Sequence, residues 1–208
     1  MSVPTSRQAF VFLAPLRGRS SVFITPGRGR NASVVRFLMG CLAASRKRTA
    51  IFDTSSFFGT NIRTLTESLP REFLMQSTLV TPQGGQRVED SMAELLAMKA
   101  DAILIDDLNA LHYLLSTDRQ KPGIQRLFAL IRLLSYESRI NRTSVFGTVY
   151  KTESESAGER VTRRSLSAAA DLQIFTDDRA GRITFRCDEA SGWPNNRFSA
   201  PLYLEPST

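Results

Sequence analysis

The stretch that most limits how this chain can fold runs from Ser21 to Asp53. It reads SVFITPGRGRNASVVRFLMGCLAASRKRTAIFD. An apolar run, Val22-Phe23-Ile24, meets the turn-forming segment Thr25-Pro26-Gly27-Arg28-Gly29-Arg30. A helical stripe follows, with Val34, Leu38, Cys41 and Leu42 at i, i+4, i+7 and i+8. A second apolar run, Ala50-Ile51-Phe52, ends at Asp53. Strand, glycine turn, helix and strand in that order make one βαβ unit, and the two strands of such a unit are parallel.

The turn stands where a phosphate-binding loop would sit, at the N-terminus of a helix. Set against G-x-x-x-x-G-K-[ST], the best register is Ile24 to Asn31. Gly29 keeps the second glycine, and Gly27 falls between. Ile24 replaces the first glycine, Arg30 the lysine, and Asn31 the hydroxyl that would hold Mg²⁺. A Cβ at Ile24 disfavours the positive φ that glycine allows. Arg30 keeps a cation, but as a planar fork rather than a compact ammonium. Two readings stand side by side: a nucleotide site, or an ordinary strand-to-helix turn.

Farther along, Val88, Met92, Leu95 and Leu96 mark an amphipathic helix. It leads into Ala102-Ile103-Leu104-Ile105-Asp106-Asp107, a continuous apolar run typical of a buried parallel strand. Its two carboxylates fall at the C-terminal end, the edge where open α/β sheets bind ligands. The plain alternative is a strand-end turn with solvated carboxylates. Leu127, Leu130, Ile131 and Leu134 mark another helix, and Thr143 to Tyr150 a further strand. Residues 54–86 read as irregular, with a loop at Gly84-Gly85, and 116–124 as a polar loop. Residues 151–165 read as a long flexible loop carrying Lys151, Arg160, Arg163 and Arg164 among Glu153, Glu155 and Glu159. Leu172–Thr176, Arg182–Cys187 and Pro201–Leu204 read as strands, with a hairpin connection over 177–181. At the other end, Ala9–Leu13 reads as a short strand. The expected division is an N-terminal strand or arm over 1–19 and one core domain over 20–208.

Charge and composition narrow the function. The net charge of +7 suits an acidic partner such as nucleic acid, or simple solubility. No run approaches 18 apolar residues, so no membrane span is expected. The apolar stretch near the N-terminus is too short for a secretory signal core. Cys41 and Cys187 fall in helical and strand-like patterns and read as reduced core residues. His112 has no metal-ligand spacing around it and reads as structural, and no metal site is expected. Arg46-Lys47-Arg48 reads as the basic end of a helix.

The order of these segments resembles the core ATPase domain of the RecA/RadA recombinase family over roughly residues 20–205. Ile24–Asn31 matches the phosphate loop, Thr49–Thr54 the strand ending in Asp-Thr-Glu, and Ala102–Asp106 the Walker B strand. Arg126–Leu134 with Ser144–Thr148 matches the segment that leads to the second DNA-binding loop. The fold implied is α/β: a RecA-like three-layer core, its mostly parallel sheet flanked by helices, with antiparallel β-strands at the C-terminus. The departures imply an inactive site. The family's catalytic glutamate is Ser55 here, which cannot act as a carboxylate base. Val149-Tyr150 stands where a γ-phosphate sensor would be.

The chain is similar to the short, divergent recombinase paralogues of eukaryotes and archaea, including the small nematode subunit that partners a paralogue. That resemblance implies a non-catalytic mediator of homologous recombination. Its partners would be another paralogue in a heterodimer, the recombinase filament and single-stranded DNA, with no membrane. Asp106 and Asp107 would face the partner, and Lys151, Arg160, Arg163 and Arg164 would contact DNA. Gly27, Gly29, Arg30, Asn31 and Asp106 would form a residual nucleotide site. No cofactor is expected beyond ATP and Mg²⁺ held at a subunit boundary. The location implied is the nucleus, or the cytoplasm for an archaeal source. The alternative is a working DNA-dependent ATPase or other P-loop NTPase, with Asp53 or Asp107 as base.

Overall fold

A computed structural model describes residues 4–82, 87–116, 122–151, 169–179, 182–187 and 193–201. Its elements are α1 (Ser6–Leu13), β1 (Ser20–Thr25), α2 (Arg28–Ala44), β2 (Thr49–Asp53), α3 (Phe57–Ser68), α4 (Arg71–Gln76), β3 (Thr78–Val80), α5 (Val88–Ala97) and β4 (Ala102–Asp106). They continue with α6 (Leu108–Ser116), α7 (Gly123–Asn141), β5 (Ser144–Tyr150), β6 (Leu172–Arg179), β7 (Arg182–Arg186) and β8 (Arg197–Pro201). The strands form one sheet in the order β3-β2-β4-β5-β1-β6-β7-β8. From β3 to β6 all neighbours are parallel; β7 and β8 are antiparallel.

Strand residues alternate between two cores, as a period of two requires. Phe23, Ile51, Leu104 and Phe146 face a core built with α1 and α2. Val22, Ile24, Phe52, Ile103, Ile105 and Val149 face a core built with α5, α6 and α7. With both faces covered, the central strands are apolar throughout. The first core is rich in aromatic rings. Phe12, Phe37, Phe185, Trp193 and Phe198 pack with ring centroids about 5–6 Å apart.

Three local expectations are corrected. The expected strand at Ala9–Leu13 is part of α1. A capping box starts this helix: Gln8 N–H donates to Thr5 Oγ1 (3.3 Å), and Thr5 N–H donates to Gln8 Oε1 (3.0 Å). Ala9 and Phe12 turn inward while Phe10 is 71% exposed, a helical rather than alternating pattern. Within that N-terminal stretch, Ala9, Phe12 and Leu16 lie in the core. Within 54–86, α3, α4 and β3 replace the expected irregular stretch. His112, which follows β4, lies in α6, half-buried, its pKa lowered by burial. The last strand is Arg197–Pro201, whereas Leu202–Leu204 of the expected strand lie outside the described residues. So do the Gly84-Gly85 loop and Ala180-Gly181 of the hairpin.

Both cysteines are buried. Burial pushes the Cys41 thiol far up, so it stays neutral. No helix among the described residues is long and apolar enough to cross a membrane.

Candidate functional site

Strands β1, β2, β4 and β5 end together, and three helices start from that edge: α2, α3 and α6. Asp53 and Asp106 are register partners at the ends of β2 and β4, and Asp107 follows. All three carboxylates are buried. Each is engaged differently.

Asp53 caps α3. Its Oδ1 accepts from Phe57 N–H (3.0 Å), and its Oδ2 from Phe58 and Gly59 N–H (3.2 and 3.4 Å). Asp107 caps α6, its Oδ1 accepting from Ala110 N–H at 2.6 Å. Both satisfy donors that a helix start leaves open. Burial raises both pKa values, and these backbone hydrogen bonds oppose it. Asp53 engages backbone through both carboxylate oxygens, and Asp107 through Oδ1.

Asp106 is the centre of a polar node. Its Oδ1 accepts from Asn31 Nδ2 (2.9 Å) and Thr148 Oγ1 (3.0 Å), and its Oδ2 from Ser55 Oγ (3.2 Å). Asn31 Nδ2 also donates to Thr148 Oγ1 at 3.0 Å. Every donor is neutral. Burial first, and the nearby Asp107 charge second, push Asp106 up to about 7. The same carboxylate's backbone carbonyl accepts from Thr54 and Ser55 N–H (2.8 and 3.2 Å), while Thr54 Oγ1 donates to Asp107 O (2.7 Å).

The expected phosphate loop is shortened. Strand β1 runs through Thr25 and α2 begins at Arg28, so only Pro26-Gly27 lie between them. Ile24 is a buried strand residue, and Gly29 and Arg30 lie in the first turn of α2. Arg30 and Asn31 N–H both bond to Gly27 O inside the helix. The structure brings Gly27, Gly29, Arg30, Asn31 and Asp106 to one corner of the sheet, but not as a cradle.

Mg²⁺ and a nucleotide are poorly matched to these residues. The amide of Asn31 bonds Asp106 directly, across the space a metal bridge would need, and it brings hydrogen-bond donors toward the carboxylate. Asn31 is 4% exposed, and its Oδ1 has no hydrogen-bond partner among the described residues. That orientation follows from Asp106 being the acceptor. No cluster of three or more His, Cys, Asp or Glu suited to a metal ion occurs among the described residues.

The remaining expected positions separate. Asp106 and Asp107, expected at a partner interface, are 1% and 3% exposed, so their side chains face the interior of this chain. Lys151 is exposed directly after β5, its N–H donating to Thr25 O (3.0 Å). Arg160, Arg163 and Arg164 lie outside the described residues. Ser55 keeps a place beside Asp106, but as a donor to it. Two members of the arrangement carried no expectation from sequence. Thr148 is a polar residue inside the buried run of β5, which was its signal. Asn109 clamps the end of β5, exchanging bonds with Tyr150 N–H (3.1 Å) and Tyr150 O (3.3 Å).

No protein-family model and no curated protein sequence matches the chain. Solved structures do match. One is a crystal structure of the RadB recombinase, 14% identical, with a TM-score of 0.63 over 88% of this chain and 86% of that one. At that identity the likeness is one of fold: the chain has a RecA-like α/β core.

Proposed function

We propose that this chain is a non-catalytic accessory subunit of homologous recombination, a RecA-like protomer that pairs with another recombinase paralogue and acts on the recombinase filament. The observation that carries the reading is the Asn31–Asp106 bond beside a loop cut to Pro26-Gly27. In a P-loop NTPase the hydroxyl and the Walker B carboxylate share a metal ion. Here an amide and a carboxylate satisfy one another. The RecA-like fold supplies the class of assembly, and the similarity to a RadB recombinase supports the recombination setting. Nuclear location belongs to this reading for a eukaryotic source. Any nucleotide in the assembly sits on the partner's own phosphate loop.

In this account Asp106 and Asp107 serve pairing indirectly. They hold Thr54-Ser55 and the start of α6, which frame the edge a partner would meet.

Co-expression with a candidate paralogue, followed by mass determination and nucleotide analysis, tests the reading. The expected result is a stable 1:1 complex with no Mg-ATP turnover by this chain alone. Robust turnover by the isolated chain, abolished by Asp106→Ala, would overturn it in favour of a P-loop NTPase with a divergent loop.

A further inference from the structure

The opposite edge of the same sheet carries a different chemistry. Because β1, β2, β4 and β5 are parallel neighbours, the segments that lead into them gather at one end. Those segments hold Arg17 and Arg19 before β1, Arg46 and Lys47 before β2, Lys99 before β4, and Arg142 before β5. Lys47 is half-buried and the other five are exposed. None of the six has a carboxylate within ion-pair distance among the described residues. Two further cations at this end are neutralised: Arg48 by Asp101 (3.5 Å) and Arg139 by Asp171. Glu137, bonded by Asn141 Nδ2 at 2.7 Å, is a further acid beside the row. Eight cations against three acids leave +5, a large part of the chain's +7.

The row is held on a rigid frame. Val145 N–H donates to Arg19 O (3.0 Å), Ser144 N–H to Asp101 O (3.0 Å), and Asp101 N–H to Arg48 O (2.9 Å). Gly18 N–H donates to Ser144 Oγ (3.3 Å). The strand order β2-β4-β5-β1 at about 4.8 Å per step sets a row about 14 Å long. Midway along it, Arg48, Lys99 and Arg142, with Asp101 and Glu137, line a pocket of about 240 Å³. Like charges this close repel within a Debye length of about 8–10 Å. Arg46, Lys99 and Arg142 stand just past the C-termini of α2, α5 and α7, where the helix dipole favours a cation, but Arg17 and Arg19 follow no such helix.

We propose that this N-terminal edge of the sheet is a binding surface for the sugar–phosphate backbone of nucleic acid, separate from the edge that holds Asp106 and Lys151. Protein interfaces place apolar and aromatic anchors at their centre and charge at the rim. Here the segments that lead into the four strands carry cations and no aromatic residue. Nucleic-acid interfaces are more polar and more positive. Phosphate contacts without base contacts give sequence-independent, salt-sensitive binding.

The test uses the full chain and a fluorescein-labelled oligothymidylate of about 30 nucleotides, titrated from about 50 to 200 mM salt. Two variants are compared. The edge variant carries Arg46→Asn, Lys47→Ser, Lys99→Asn and Arg142→Asn, asparagine tolerating the left-handed backbone at positions 46, 99 and 142 (φ 51°, 48° and 55°). The loop variant carries Lys151→Ser, Arg160→Ser, Arg163→Ser and Arg164→Ser. Circular dichroism and melting temperature confirm that each is folded. The expected result is a loss of about ten-fold or more for the edge variant, with a salt slope shallower by about 2–3, since each phosphate contact on a single strand contributes about 0.7. Three results would overturn the proposal: no binding by the unmodified chain at low salt, a loss confined to the loop variant, or displacement of the oligonucleotide by polyglutamate at equal charge concentration. The last would assign the surface to an acidic protein segment.

Discussion

The two edges of this sheet hold opposite charge, and they use it in opposite ways. At the C-terminal edge, Asp53, Asp106 and Asp107 are buried and hydrogen-bonded: two cap helices and one closes a polar node. At the N-terminal edge, most of the cations are exposed and six have no acidic partner among the described residues. Interior charge holds a conformation in place, and its removal is felt by the fold. Exposed, uncompensated charge leaves the fold nearly untouched and is available to a partner. A RecA-like sheet ordinarily keeps its ligand chemistry at the first edge. In this chain that edge has turned inward on itself.

The contrast makes graded predictions. The largest concerns pH. Asp106 is pushed from 3.8 to about 7 in the fold, chiefly by burial. A carboxylate raised on folding binds its proton more tightly in the native state. Its contribution therefore favours the fold at low pH and is lost as pH rises from about 4 to 7, by up to about 4 kcal/mol. Asp53 and Asp107 shift the same way, whereas Glu89 and Asp171 are lowered by Arg126 and by Ser20 with Arg139, and so lose stability on the acid side. Urea midpoints at pH 5 and 8 should show this decline, and Asp106→Asn should flatten it. An unchanged slope in that variant would place the titrating group elsewhere.

Next comes the cap on α3. Asp53→Ala frees three backbone N–H groups and should cost about 1–2 kcal/mol, read as a lower melting temperature. A smaller loss would mean that relief of the buried charge offsets the lost cap. At the other edge, Arg46→Asn with Lys99→Asn should change stability by less than about 0.5 kcal/mol, because asparagine tolerates the left-handed backbone at both positions and exposed side chains without ion pairs contribute little. A large loss there would erase the distinction between the edges. The smallest effect sits at the start of α2. Gly27 gives that helix no side-chain cap, and a Cβ there meets nothing within 4 Å. Gly27→Ser should stabilise by a few tenths of a kcal/mol by thermal melt. A loss instead would show that the open turn has its own use.

The parallel core was legible because its strands are short apolar runs with turn signals between them: Val22–Ile24, Ala50–Phe52 and Ala102–Ile105 all fall inside observed strands. Where sequence reading went astray, an apolar run was ambiguous between periods. Ala9–Leu13 fits either, and the deciding signal was Thr5 and Gln8, a capping pair at the right spacing. Helix α6 follows β4 with almost no interval, so the Asp107 cap was read as strand-edge chemistry. The site was legible in its members but not in its contacts. Asn31, Ser55 and Asp106 lie far apart in sequence, and nothing in their spacing says that the amide bonds the carboxylate. Thr148 went without a role because one hydroxyl in an apolar strand has many explanations until its neighbours are known.

One packing detail has an optical consequence. Trp193, the sole tryptophan, is buried with its indole stacked on Phe12 at 5.3 Å and its N–H donating to the Phe12 carbonyl (3.2 Å). It lies just ahead of β8, and Phe12 lies in α1, so the ring marks the seam where the two ends of the described chain meet. Its emission is therefore a single-site gauge of that seam: blue and shielded from quenchers while α1 is docked, red and accessible once it lifts away. Excitation of one indole follows the closure of the fold without any label.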